Sequence, residues 1–147
     1  MNLRKPTVAA CLLAILLCAG CSDTTSRPST VKVSGTVKYK GEPLKQGRIS
    51  FLKKQGPNAK EVVRPAIGRI VDGAYELTTF QTGDGAIPGD YQVTIESMDD
   101  DLSLEEIGEG KKKPKSTIPR QYASGDTSGL KVTVPTSGPF TKDFDLK

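Results

Sequence analysis

Short segments in which apolar and polar residues alternate, cut apart by turn-forming residues, leave this chain few options other than β-structure. Residues 31–39 set the pattern, with Val31, Val33, Val37 and Tyr39 on one face and Lys32, Ser34, Thr36 and Lys38 on the other. A period of two is the mark of a half-buried strand. Residues 40–44 read as a turn, and residues 47–52 as a second strand with Ile49 and Phe51 in phase. Residues 55–58, Gln-Gly-Pro-Asn, break it. A third apolar stretch, 62–71, is interrupted by Pro65 and Gly68. Proline cannot donate to a ladder, so this stretch is expected to be an edge strand, a bulge or two short strands. Asp72-Gly73 signals a hairpin, followed by a strand over 74–79 with Tyr75 and Leu77 inward. A loop rich in breakers, 82–89, leads to the clearest strand, 90–97, with Tyr91, Val93 and Ile95 in phase. Leu130, Val132 and Val134 mark another strand, and Phe144 and Leu146 the last, after a turn between Pro135 and Pro139. About seven short strands and no long helical pattern predict an all-β, antiparallel seven-stranded β-sandwich over residues 31–147.

The N-terminal 30 residues have a different character. Arg4 and Lys5 precede an apolar run from Val8 to Leu17, then Cys18-Ala19-Gly20-Cys21 and a polar, Ser/Thr-rich stretch. The apolar run is too short to span a bilayer and has the form of an export signal. The cysteine after Ala-Gly resembles the lipidation site of bacterial lipoproteins, although Cys18 stands where leucine is usual. Val8-Ala9-Ala10-Cys11 fits the same pattern with too little apolar sequence before it, and an ordinary signal peptide with an incidental cysteine is the competing reading. The expectation is a signal peptide over 1–20, lipid attachment at Cys21 and a flexible tether over 21–30. Two or more acyl chains anchor stably where one is marginal. Ser22, rather than aspartate, follows the cysteine. By analogy with known lipoprotein sorting this favours an outer-membrane address in the cell envelope over the inner membrane.

Composition narrows the function classes. All three cysteines lie at or before Cys21, so the mature domain would hold neither disulfide nor free thiol. The chain carries 21 basic and 17 acidic residues. With Arg4 and Lys5 removed alongside the signal, the balance is nearly even, which is no electrostatic footprint for nucleic acid. Histidine is absent. Ser/His/Asp and Cys/His nucleophile activation therefore cannot be assembled, nor can the usual His-ligated zinc. No catalytic residue, metal ligand or cofactor is assigned on these grounds, although a carboxylate-only or lysine-based mechanism stays formally open.

Residues 98–117 stand apart. Asp99, Asp100, Asp101, Glu105, Glu106 and Glu109 precede Lys111, Lys112, Lys113 and Lys115. Ser103 and Glu106 have capping-box spacing, compatible with a turn or two of helix near Leu104 and Ile107. The segment is expected to be a charged surface excursion. The aspartate run lacks the spaced ligands of a calcium loop, and the lysines could touch an anionic surface. Asp84, between Gly83 and Gly85, resembles a ligand loop but reads more simply as a connection between strands, and no P-loop follows. There is no tryptophan, and of the aromatics only Phe80, Tyr122 and Phe140 are out of phase with the core and free to form a sugar-stacking platform.

Several of these segments together resemble the carboxypeptidase regulatory-like, transthyretin-like domains. Val33-Ser34-Gly35-Thr36-Val37, Gly41-Glu42-Pro43-Leu44 and Gly47-Arg48-Ile49-Ser50-Phe51 are similar to their opening. Asp72-Gly73-Ala74-Tyr75-Glu76-Leu77 and Pro88-Gly89-Asp90-Tyr91-Gln92-Val93-Thr94-Ile95 resemble their second and third hallmarks. The stretch from Ile118-Pro119 through Tyr122 to Phe144-Asp145-Leu146 looks like the tail of small bacterial lipoproteins with one such domain. The resemblance implies a seven-stranded sandwich without an active site. Relatives that hydrolyse 5-hydroxyisourate rely on histidines and a C-terminal tetrapeptide that this chain lacks, and iron-binding dioxygenases of related architecture also need histidine. The expected role is that of a lipid-anchored, non-enzymatic cell-envelope protein, structural or protein-binding. Its partners would be the membrane through Cys21 and an envelope protein or wall polymer; the alternative is a glycan- or Ca²⁺-binding envelope module.

Overall fold

The computed structural model describes residues 27–53, 63–97 and 115–147. Cys21, the signal segment, most of the tether, the Asp99–Asp101 run and the lysines at 111–113 lie outside the described residues.

The described chain is predominantly β. Nine strand segments are present: β1 Val33–Tyr39, β2 Glu42–Pro43, β3 Gln46–Lys53, β4 Ala66–Val71, β5 Ala74–Glu76, β6 Gly89–Glu96, β7 Lys131–Val134, β8 Phe140–Thr141 and β9 Phe144–Leu146. The two beyond the expected seven are the two-residue β2 and β8. Hydrogen bonding joins them in one sheet of order β2-β1-β5-β4-β3-β6-β7. The pairing along this path is antiparallel. The departure from the expected all-antiparallel arrangement is at β8 and β9, which both pair parallel to β1. A parallel neighbour needs a long crossover, and here the rest of the domain supplies it.

The sheet curls, because strands remote in its order touch. The Phe51 ring on β3 lies 6.2 Å, edge to face, from Phe144 on β9, and it also lies 5.8 Å from Tyr91 on the neighbouring β6. Tyr75 stands 6.3 Å from Phe144. One apolar core gathers the inward residues of every long strand: Val33 and Val37, Ile49 and Phe51, Ile70, Tyr75, Val93 and Ile95, Val132 and Val134, Phe144 and Leu146. Tilted and edge-to-face aromatic pairs add to what area burial contributes. The alternation read in the sequence is thus the alternation of burial in β1, β3 and β4, whereas in β6 Thr94 is buried along with Val93 and Ile95.

Two expectations are corrected. The Pro65 stretch is neither an edge strand nor two pieces: β4 starts directly after Pro65 and runs unbroken through Gly68 between β3 and β5. Pro65 stands outside the ladder, so its missing N–H costs nothing, and at Gly68 a Cβ would stand 2.7 Å from the Glu76 carbonyl oxygen, which explains the glycine. Tyr122, expected to be free for exposure, is buried. It belongs to a 3₁₀ turn, Arg120–Ala123, which with the helical turn Gly125–Ser128 packs on β6. Its hydroxyl meets the backbone of Lys147, 3.2 Å from both N and O. Tyr39, in phase with the core, is only partly buried, and the Lys40 ammonium lies 5.3 Å from its ring centroid. Asp72-Gly73 forms the expected tight hairpin, with φ of 47° and 83°. No helix among the described residues is long and apolar enough to cross a membrane.

Candidate functional site

Strand polarity sorts the loops to two ends of the sheet. One end holds the start of β1, the end of β5, the start of β4, the end of β3 and the start of β6. It is tied together where Val31 pairs with Ala86 and Ile67 with Thr78. Phe140 N donates to Lys32 O at 2.9 Å, bringing the 135–139 turn to the same end. The opposite end carries the turns at Lys40-Gly41 and Asp72-Gly73, the end of β6 and the chain's last residue.

Residues 78–89 form the largest described loop, and Asp84 organises it. Asp84 Oδ1 accepts from Thr79 N at 2.7 Å, and Oδ2 accepts from Phe80 N at 2.9 Å and Gln81 N at 3.1 Å. Thr79 Oγ1 donates to Gly85 O at 2.6 Å, and Gly83 N donates to Thr78 Oγ1 at 3.0 Å. Partial burial pushes the Asp84 carboxyl up, but the three backbone N–H groups outweigh it and hold its pKa below the ordinary value. Gly85 has φ +89°, and a Cβ there would overlap the Val31 carbonyl, so only glycine lets the loop close on the entering chain. Asp84 therefore caps a loop with its own backbone. It is the connection between strands that the sequence suggested, not a displayed ligand. What the sequence did not reveal is that the acceptor stands after the donors it satisfies, an arrangement without a short motif.

The residues of the hallmark segments likewise serve the fold. At Gly35 a Cβ would overlap the Lys142 carbonyl oxygen. The Tyr75 hydroxyl donates to that same oxygen at 2.6 Å, and burial, then the Asp143 charge, pushes its pKa far up. Tyr91 donates to Ile87 O at 2.6 Å, and burial raises its pKa as well. Asp143 Oδ1 accepts from both the Thr36 hydroxyl and the Thr36 backbone N–H at 2.8 Å; these bonds hold its pKa low. Hydrogen bonds from β1 and β5 thus clamp the 142–143 corner before β9.

Of the three aromatics considered for a sugar platform, Tyr122 is in the core, Phe140 is half-buried against it, and Phe80 is half-exposed with the Arg64 guanidinium 5.9 Å over its ring. They do not share one surface: Phe80 and Phe140 belong to the Val31 end, whereas Tyr122 packs beside β6 and the chain's last residue. The charged excursion departs after Ser97 and returns at Thr117, where Thr117 N donates to Ser97 O at 3.0 Å and Thr117 Oγ1 to Ser97 Oγ at 2.7 Å. Its two stems are therefore joined at the end opposite Val31. Lys115 is exposed. Among the described residues no three His, Cys, Asp or Glu side chains converge as a metal site.

Two open cavities stand out among the described residues. One of about 330 Å³ runs along β6 and β7, lined by Asp90, Tyr91, Gln92, Lys131, Val132 and Thr133. Another of about 230 Å³ lies at the Val31-distal end between Tyr39, Glu42, Lys45 and Ser97. Among the described residues the first flanks an open sheet edge, since β7 ends the strand order. Val93 N donates to Leu130 O, and the register pairs Tyr91 with Val132. Alternate residues therefore face β6, leaving the backbone N–H and C=O of Lys131 and Thr133 on the open side. No protein-family model, curated protein or solved structure matches this chain.

Proposed function

We propose that this protein is a lipid-anchored, non-enzymatic module of the bacterial cell envelope, held to the membrane through Cys21 and displaying a transthyretin-like β-sandwich for binding another envelope component. The observation that carries the reading is the N-terminal sequence: Arg4 and Lys5, a short apolar run, Ala19-Gly20-Cys21, and a polar stretch that reaches the body of the domain at Val31. Gly35 and Tyr75 support the β-sandwich part of it, because both meet the Lys142 carbonyl where the chain's last strands close on β1. On this reading the outer membrane is the address and no cofactor is needed.

The protein-binding surface on this reading is the β7 edge. Its outward N–H and C=O groups suit an added strand, and the cavity beside it receives side chains. The Pro65 segment, which the sequence allowed to be an edge strand, lies inside the sheet and offers no edge. A glycan- or Ca²⁺-binding module is the second reading, and Tyr39 beside the 230 Å³ cavity is the feature that favours it.

The test is intact mass and membrane fractionation of the full chain expressed in a bacterial host, wild type beside Cys21→Ser. The wild type is expected in the membrane fraction with an acylated N-terminal Cys21, and the variant unacylated. A soluble wild-type product cleaved elsewhere sinks the anchor.

A further inference from the structure

We propose that the end of the sheet bearing residues 78–89 rests on the anionic lipid surface to which the chain is tethered, with Phe80 and Arg64 as the contact, so that the opposite end points away from the bilayer. This rests on the lipid-anchor reading above. Three observations carry it. The first is where the chain outside the described region leads. Arg27, Pro28 and Ser29 are exposed, and the chain enters the fold at Val31, which pairs with Ala86 in the loop itself. Nine residues separate Cys21 from Val31. Even fully extended they span only about 30 Å, so this end is kept within a tether's length of the lipid surface; the tether limits the distance, and the choice of face falls to the charge and the tip.

The second observation is charge. Arg27, Lys32, Lys53 and Arg64 all gather at this end, and among the described residues none of them is in an ion pair, the pair Arg48–Glu96 being at the opposite end. The acids at the same end are Asp84, held by three backbone N–H groups, Asp90, which accepts from the Thr133 hydroxyl at 2.6 Å, and the exposed Glu76, whose carboxylate lies beside Gly83. These acids stay charged, and Lys53 donates to Pro88 O at 3.2 Å, but the four cations outnumber the three acids, and the surplus suits a surface of anionic headgroups, where each arginine or lysine strengthens association about fivefold.

The third observation is the pairing at the tip. Phe80 is half-exposed, with Arg64 over its ring at 5.9 Å. An aromatic ring capped by a guanidinium has the amphipathic form that settles at a membrane interface, ring toward the acyl boundary and cation among the headgroups. The loop holds it there rigidly, since Phe80 N is fastened by Asp84.

The experiment uses the full chain, purified from membranes and reconstituted into phosphatidylcholine vesicles with or without phosphatidylglycerol. A fluorescent residue is placed at Gln81 or at Glu42, both exposed and at opposite ends, and quenching by headgroup spin-labelled lipid is measured. Stronger quenching at Gln81 than at Glu42, present only with phosphatidylglycerol and reduced about fivefold by Arg64→Gln, is the expected result. Phe80→Ala should remove the difference, and Arg64→Gln, which leaves the ring in place, covers the case in which that variant folds poorly. Equal quenching at both positions, or more at Glu42, overturns the orientation. The mass of the same sample separates the two claims. An acylated chain with equal quenching keeps the anchor and rejects the contact. An unacylated chain rejects the anchor, and its binding to the anionic vesicles is then scored by the same two labels, where no preference for Gln81 rejects the contact as well.

Discussion

Asp84 shows how much one side chain decides at the residue scale. A carboxylate accepting three backbone N–H bonds is worth more than a neutral acceptor, and its partial exposure keeps the gain modest. Asp84→Asn is expected to destabilise the protein by about 1 kcal/mol at neutral pH, read by denaturant unfolding. Because the folded-state pKa lies below the ordinary value, the stabilisation is complete above the usual carboxylate range near 4. It is lost as pH falls through the lower folded value. The acid limb of a stability-versus-pH curve should therefore be shallower in Asp84→Asn than in the wild type; identical limbs would remove Asp84 from this role. Asp143, fully exposed and held low by Thr36, contributes with the same sign. Neither role could be read from sequence. Asp84 sits in a Gly-rich stretch that any loop could have, and the Thr36–Asp143 pair spans 107 positions.

Among the elements, the β1–β9 closure is the most exacting. The Lys142 carbonyl approaches Gly35 so closely that any Cβ collides with it, and Tyr75 donates to the same oxygen. Gly35→Ala is expected to cost about 3 kcal/mol or more, as overpacking against backbone does, with β8 and β9 losing protection first in hydrogen exchange. A variant as stable as the wild type would mean the strand can shift. The β7 edge has the opposite character. Thr133→Pro removes an N–H that points away from β6, so the ladder and the circular dichroism spectrum should persist. Capture of a strand-forming partner should fall at least tenfold; undiminished capture would exclude this edge. The exposed Arg48–Glu96 ion pair, 2.5 Å apart, is worth little by comparison. Most strands were legible in the sequence, because a half-buried strand must alternate. The β4 register was not: Pro65 reads as a ladder breaker only until its position just outside the first rung is known. Nor was Tyr122, whose burial depends on a crossover packing onto β6.

For the molecule as a whole, the four-ring cluster of Phe51, Tyr75, Tyr91 and Phe144 joins parts of the sheet that are distant in strand order. Phe51, fully buried at its centre, should cost about 3–5 kcal/mol when replaced by alanine. Tyrosine fluorescence and far-ultraviolet circular dichroism should unfold together in that variant, as expected of a single core. Non-coincident transitions would divide the domain into separately stable layers. The sequence by itself determined the β character, the inward faces and the hairpin at Asp72-Gly73, since these follow from local periodicity and backbone preference. Only the tertiary structure decided that β8 and β9 run parallel to β1, that the Pro65 segment is interior, and that the entering chain and the Asp84 loop share one end. Each of these depends on contacts between residues far apart in the chain, which local alternation does not encode.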